Sequence, residues 1–201
     1  MSEAQFTKDW FNWAPEVWTQ LIPHLPERTE DGRHFLEIGS FEGRSTVWIM
    51  ENMMQHGDYI LCIDTWEGGE EHSEEDMSAV WDRFRHNTEL AFERFPNRYH
   101  DSMTGTSYEK LAELSAWGQQ YDFIYIDGSH IAKDVLTDAC MAWPLLKPKG
   151  MMVFDDYLWS PSARDILHRP KAAIDAFTNL FAEEVEIVHV GYQLVVRKKG
   201  E

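Results

Sequence analysis

The feature that most constrains this chain is YDFIYIDGSH, residues 121–130. From Tyr121 to Ile126 every residue except Asp122 is aromatic or β-branched, and the run stops abruptly at Asp127, Gly128, Ser129 and His130. That pattern predicts a buried strand delivering polar chemistry at its carboxyl end. In an open parallel sheet, ligands sit outside the carboxyl ends of strands. Asp127 and His130 are therefore candidates for chemistry, with a turn Asp and a helix-capping Ser as the plain alternative.

The same punctuation recurs along the chain. A strand over His34–Ile38 is followed by a glycine-bearing turn and a helix over residues 45–54. A second strand, residues 59–63, ends at Asp64, and a third spans Tyr99–Thr104. Pro148 and Gly150 mark a turn into a fifth strand, residues 151–154, which ends in Asp155 and Asp156. Helical spacing falls at residues 77–90, 108–115, 135–145 and 172–181, and EVEIVHV, Gly191 and YQLVVRKK read as a terminal hairpin. Residues 65–76, glycine-rich and acidic, form a long loop of the functional or mobile kind. Strands alternating with helices predict an α/β, Rossmann-like, doubly wound sheet of seven strands, mostly parallel with an antiparallel strand from the C-terminal hairpin. Ahead of it, Trp10, Phe11, Trp13, Trp18, Leu21 and Ile22 predict one or two amphipathic helices, Pro15 opening the second and Pro23 and Pro26 ending it. Residues 1–30 would then be a helical cap and 31–201 the main domain. The aromatics of the cap suit packing against that domain, a lid over a cleft, or contact in a homo-oligomer.

Composition narrows the function classes. A net charge of −17 opposes a nucleic-acid grip, which needs a basic footprint, and disfavours anionic membranes. Cys62 and Cys140 lie in apolar surroundings and form no metal-binding pair, which suits a reducing compartment. No apolar run is long enough to span a bilayer, and the tryptophan-rich N-terminus does not resemble a secretory signal. The expectation is a soluble cytoplasmic protein.

Three features gather at the ends of the first three strands: Glu37, Gly39 and Gly43 in EIGSFEG; Asp64, where an acid takes both hydroxyls of a ribose; and Gly105, Thr106 and Ser107, placed to line an adenine edge. A pyrophosphate-binding dinucleotide turn wants G-x-G-x-x-G, whereas this one is G-x-x-x-G with Glu42 inside it. An acid there repels pyrophosphate. A ligand with no phosphate and a positive centre fits better, and S-adenosylmethionine is one.

The order EIGSFEGRS, an acid ending the second strand, GTSYEKL, YDFIYIDGSH and FDDY resembles the class I S-adenosylmethionine-dependent methyltransferases. Within them the chain is similar to small-molecule O-methyltransferases of the macrocin and cephalosporin-biosynthesis type, and more distantly to catechol O-methyltransferase. The resemblance runs from about Phe35 to Arg197. It implies that Glu37, Gly39, Ser40 and Phe41 hold the methionine part, helped by Ser45. It implies further that Asp64 binds the ribose, that Thr106 and Ser107 face adenine, and that Asp127 also borders the cofactor. Thr106 stands where relatives often carry an acid, and Lys149 where glycine is common.

At the other end, Asp127 and the pair Asp155 and Asp156 close strands that, as neighbours, lie roughly 5 Å apart. Such carboxylates repel unless something neutralises them, and a hard divalent ion such as Mg²⁺ does so with oxygen ligands. The plain alternative is that one acid faces the cleft while Asp156 caps a turn. In the resembled families the matching acids bind such an ion beside the acceptor. The counterpart of His130 is the base that deprotonates the acceptor hydroxyl. Lys133 is an auxiliary candidate. His72 either reaches the cleft or is solvated, and Trp66, Tyr157 and Trp159 are either cleft wall or core. The reading is metal-assisted O-methylation of a small hydroxylated acceptor, set against metal-independent methylation, a non-catalytic nucleotide-binding module and a nicotinamide oxidoreductase.

Overall fold

A computed structural model describes residues 3–69, 76–160 and 165–200. His72, with residues 70–75 of the acidic loop, and Pro161 lie outside the described residues. Seven strands form one sheet: β1 (His34–Ile38), β2 (Tyr59–Asp64), β3 (Tyr99–Thr104), β4 (Tyr121–Ile126), β5 (Leu146–Phe154), β6 (Val185–Val190) and β7 (Leu194–Lys198). Their order is β3-β2-β1-β4-β5-β7-β6, parallel throughout except for β7, which runs against both β5 and β6. The doubly wound sheet with an antiparallel hairpin strand is as the sequence implies. Strand order reverses between β1 and β4, the switch point at which such sheets open a crevice.

The alternation in YDFIYI is an alternation between two cores rather than between core and water. Tyr121, Ile124 and Ile126 face one helical layer, α4 (Ser107–Ala116), α5 (Ala132–Ala142) and α6 (Pro170–Leu180). Phe123 and Tyr125 face the other, α1 (Ala14–Leu21), α2 (Arg44–Trp48) and α3 (Val80–Arg94). A strand covered on both faces has no polar side, so it reads as a continuous apolar run.

Trp18 of α1 is fully buried against Phe123 and Tyr125, ring centroids 5.5 and 4.8 Å away, so the N-terminal aromatics pack against the main domain, one of the roles the sequence offered. Three features differ from the sequence reading. The segment before α1 is not helical; side chains of the main domain tie down its backbone, as described below. The helix after β1 is α-helical only to Trp48 and continues as a wider π turn over Ile49–Met53. Pro148 and Gly150 do not precede β5 but bulge within it. Tyr121 pairs with Leu146 and Phe123 with Met151, and Lys149 takes φ 64° to absorb the extra residues.

Candidate active site

Two turns meet at the switch point. Asp127 N donates to Ile38 O at 2.8 Å and Asp155 N to Ile126 O at 3.0 Å, which laces the ends of β1, β4 and β5 side by side. Gly39 has φ 83°, and a Cβ there would lie 2.0 Å from the Asp127 carbonyl oxygen. No side chain fits at that point, so the turn after β1 can lie directly against the turn after β4. Above them opens a cavity of about 1200 Å³, lined by Gly39, Ser40, Phe41, Ser45, Asp64, Thr106, Ser107, Asp127, His130, Asp155 and Asp156. It is large enough for a nucleoside cofactor together with an acceptor.

Of the sequence candidates, Glu37 and Gly43 do not line this cavity. Glu37 is fully buried beneath the turn, where it accepts from the hydroxyls of Ser40, Ser45 and Thr46 and from Cys62 Sγ. Burial pushes its carboxyl up, while those hydroxyls pull the other way. It therefore touches the residues expected to grip a ligand rather than the ligand space itself. Gly43 opens α2 with φ 78°, and a Cβ there would press on Phe84 and Thr88 of α3. The glycine serves helix packing, not ligand approach. Asp64 does reach the cavity, with its oxygens accepting from Ser40 N at 2.7 Å, Phe41 N at 2.8 Å and Trp66 N at 2.7 Å. Those bonds hold Phe41 at φ 46°, a strained conformation for a residue with a Cβ.

Glu42, read from sequence as a charge inside the turn, borders the cavity, but its carboxylate is taken up by donors from the chain. It is buried and receives Thr7 N at 2.6 Å, Thr7 Oγ1 at 2.7 Å and the Arg83 guanidinium at 2.5 Å. Asn87 holds Gln5 through both its N–H and its carbonyl, at 2.7 and 2.9 Å. The segment thus pinned carries Phe6, Trp10 and Trp13 into the cavity wall, Trp10 stacking near Phe41 at 5.1 Å.

At the other end Asp127, His130 and Asp156 offer ligand atoms that all lie within 4.8 Å of one another. His130 Nε2 sits 2.6 Å from Asp156 Oδ2, and its ring lies 4.2 Å from that of Trp159. Asp156 adopts φ 57°, bringing its carboxylate back over the cluster, and Tyr192 Oη donates to its Oδ1 at 2.9 Å. Asp155 is placed differently from its sequence neighbour: its oxygens accept from Tyr125 Oη, Gln193 Nε2 at 3.1 Å and Asp156 N at 2.7 Å. It adjoins the converging trio without belonging to it. Tyr125 Oη also lies 2.9 Å from Asp127 Oδ2, so the two acids share its single proton. Withdrawal from solvent, then Asp155 and Asp156, push Asp127 well above the carboxylate range. Burial and then Asp156 push Asp155 up to about 6. This cluster is short of positive charge.

Trp159 lines the cavity, whereas Trp66 packs into the core against Trp81 and Phe84, and Tyr157 bonds Asp175 at 2.8 Å. Lys133 is exposed and does not line the cavity. Sequence reasoning missed Tyr125, Gln193 and Asp138. Tyr125 was findable, because residues two apart on a strand share a face, which puts it beside Asp127. Gln193 was not, since its fixing partner, Trp18 Nε1 at 2.6 Å, lies 175 residues away.

Comparison with known proteins agrees with this geometry. The family model described as a methyltransferase domain matches residues 36–157. No curated protein resembles the chain closely enough in sequence to count as a match. Among solved structures, the O-methyltransferase from Bacillus cereus in complex with SAH is similar with TM-score 0.66 and 19% identity, over 98% of this chain and 84% of that one. TomG from Streptomyces achromogenes, an O-methyltransferase involved in tomaymycin synthesis and solved with SAM, gives 0.63 and 19% over 92% and 80%. MycE from the mycinamycin biosynthetic pathway, solved with Mg and SAH, gives 0.58 and 18%, and 97% of this chain spans only 51% of it.

Proposed function

We propose a reaction from one premise: this chain belongs to the methyltransferase-domain family, as a class I S-adenosylmethionine-dependent methyltransferase. The methyl group passes to a hydroxyl oxygen of a small hydroxylated acceptor, with a divalent cation at the acid cluster and His130 as general base. The observation that carries this is the contact of Gly39 with Asp127, which brings the glycine turn after β1 and an acid cluster short of positive charge into one cavity.

In this reading Ser40, Ser45 and the backbone from Gly39 to Phe41 take the methionine part, held in place by Glu37 behind them. Asp64 takes a ribose hydroxyl on the lone pair that its three backbone donors leave free. Thr106 and Ser107 border adenine. Asp127 and Asp156, with Asp155 behind them, fit Mg²⁺ by donor type and convergence, and the ion would lower the pKa of a bound acceptor hydroxyl. His130 takes the hydroxyl proton on the ring nitrogen that does not face Asp156, and Asp156 Oδ2, 2.6 Å from Nε2, stabilises the resulting imidazolium. Trp159 and Tyr192 flank Asp156 and supply apolar wall for the acceptor. The rest is proximity: oxygen, methyl carbon and sulfur held in line.

Calorimetry with S-adenosylhomocysteine, followed by methyl transfer from S-adenosylmethionine to catechol as a diol probe, tests this. Binding in the micromolar to millimolar range, with turnover lost to a chelator and restored by Mg²⁺, is expected. Absence of S-adenosylhomocysteine binding removes the reading at its root. A metal-independent variant draws on the contact of His130 with Asp156 and the donors on Asp155, which already stabilise part of the cluster's charge. Full turnover in chelator would favour it.

A further inference from the structure

Asp138 plays no part in the chemistry above, yet it is among the most buried acids in the protein, 2% exposed on α5. It also lines the cavity, at the end bordered by Thr106 and Ser107. One oxygen, Oδ1, accepts from Ser107 Oγ at 2.6 Å. The other, Oδ2, faces the turn after β4, where a Cβ on Gly128 would stand 3.7 Å from it. Among the described residues no cation pairs with this carboxylate, and the one charge acting on it is the like-signed Asp134. Burial pushes it up to about 7. With Ser107 on Oδ1, Oδ2 is left to take a donor from whatever fills the cavity.

We infer that Asp138 reads the exocyclic amine of the cofactor's adenine: Oδ2 accepts an N6–H while Ser107 holds the carboxyl in place through Oδ1. The inference rests on the cofactor reading above and names what selects its base. The chemistry is directional. Adenine presents an N–H₂ group at C6, and hypoxanthine presents a carbonyl oxygen there, which the ionised carboxylate, the form held above about pH 7, repels. A site built to hydrogen-bond a polar group rejects the analogue lacking it far more strongly than an apolar pocket would. The sequence supplies a reason for the placement as well. Thr106 occupies the position where the resembled enzymes often carry an acid, and here a carboxylate reaches the same end of the cavity from α5.

The experiment is calorimetric titration of the full chain at about pH 8.5, where Asp138 is ionised, with S-adenosylhomocysteine and with S-inosylhomocysteine, for wild type and Asp138→Asn. Wild type should prefer the adenosyl ligand by about 100-fold or more. An asparagine amide can turn to accept from N6–H₂ or to donate to O6. The variant's preference should therefore fall below about tenfold, with a rise in absolute affinity for the inosyl ligand that damaged folding cannot produce. A folded variant that weakens both ligands equally and keeps the wild-type ratio overturns the inference and makes Asp138 a structural residue. If Asp138→Asn does not fold, the wild-type ratio decides alone, because equal affinity for the two ligands overturns the inference by itself. Failure of wild type to bind S-adenosylhomocysteine is a separate result that brings down the cofactor reading, and this one with it.

Discussion

The two ends of the cavity use the same residue type in opposite ways. Beside β1 and β2, each acid is surrounded by donors from the chain. Glu37 has three hydroxyls and a thiol, Asp64 has three backbone N–H groups, and Glu42 has Thr7 and Arg83. Beside β4 and β5, three acids crowd together with Tyr125, Gln193, Tyr192 and His130, and burial, then their mutual charge, still pushes Asp127 and Asp155 upward. Carboxylates at the first end are spent on holding a strained turn in shape. Those at the second keep charge in hand for something that arrives from outside.

One substitution made at both ends is the sharpest way to break that contrast. Asp127→Asn should lower methyl transfer to catechol by about 1000-fold and abolish the response of S-adenosylhomocysteine-loaded protein to Mg²⁺ in calorimetry. Asp64→Asn should leave that response intact and weaken S-adenosylhomocysteine about tenfold, the scale of a lost charged hydrogen bond. Equal losses of turnover in the two variants would erase the distinction. Next in size is Glu37→Ala, which strands the hydroxyls of Ser40, Ser45 and Thr46 in a buried site. It should cost about 3 kcal/mol in urea unfolding, with Glu37→Gln milder because burial already disfavours the charge. An unchanged unfolding midpoint for the alanine variant would mean that the turn stands without its buried acid.

A smaller effect comes from Asp138, whose folded pKa of about 7 lies above the ordinary 3.8. Between those values the native state holds a proton that the unfolded chain has released, so stability falls as pH rises through that window. Comparison with Asp138→Asn isolates this from the acids at β4 and β5. Between pH 5 and 7 the wild type should lose on the order of 2 kcal/mol more than the variant, measured by urea unfolding at each pH. Parallel profiles for the two proteins would sink this prediction.

The fold was legible because its strands end in abrupt polar corners, and even the polar edge strand β3 keeps the bounds that its flanking turns suggest. Asp127, His130 and Asp156 were legible for the same reason: each follows a strand end, and topology then brings those ends together. What sequence hides is where each carboxylate points. Asp155 and Asp156 are adjacent, yet one faces Tyr125 and Gln193 and the other His130, a split set by the positive φ of Asp156. Glu42 looked like a ligand-facing charge because its partners, Thr7 and Arg83, are 35 and 41 residues away. Asp138 did leave a trace, an acid inside the stripe Val135, Ala139 and Ala142 that α5 buries. An apolar helical face tolerates such a residue only where a partner meets it.

The pinned N-terminal segment gives the mildest test of the comparison, since it belongs to the end where charge is already satisfied. Thr7→Val removes one hydroxyl donor from Glu42 and leaves Thr7 N–H and Arg83 on it. The loss should be about 1 kcal/mol, enough to loosen Phe6 and Trp10 over the turn without unfolding the protein. If the segment only covers the cofactor, that energy appears in retention. The KM for S-adenosylmethionine should rise about fivefold while kcat stays within about twofold of wild type, because no group that changes charge during transfer has been touched. A fall in kcat at constant KM would instead tie the segment to the acid cluster, through α1 and the bond from Trp18 to Gln193, and the two ends would then have to be treated as one coupled unit.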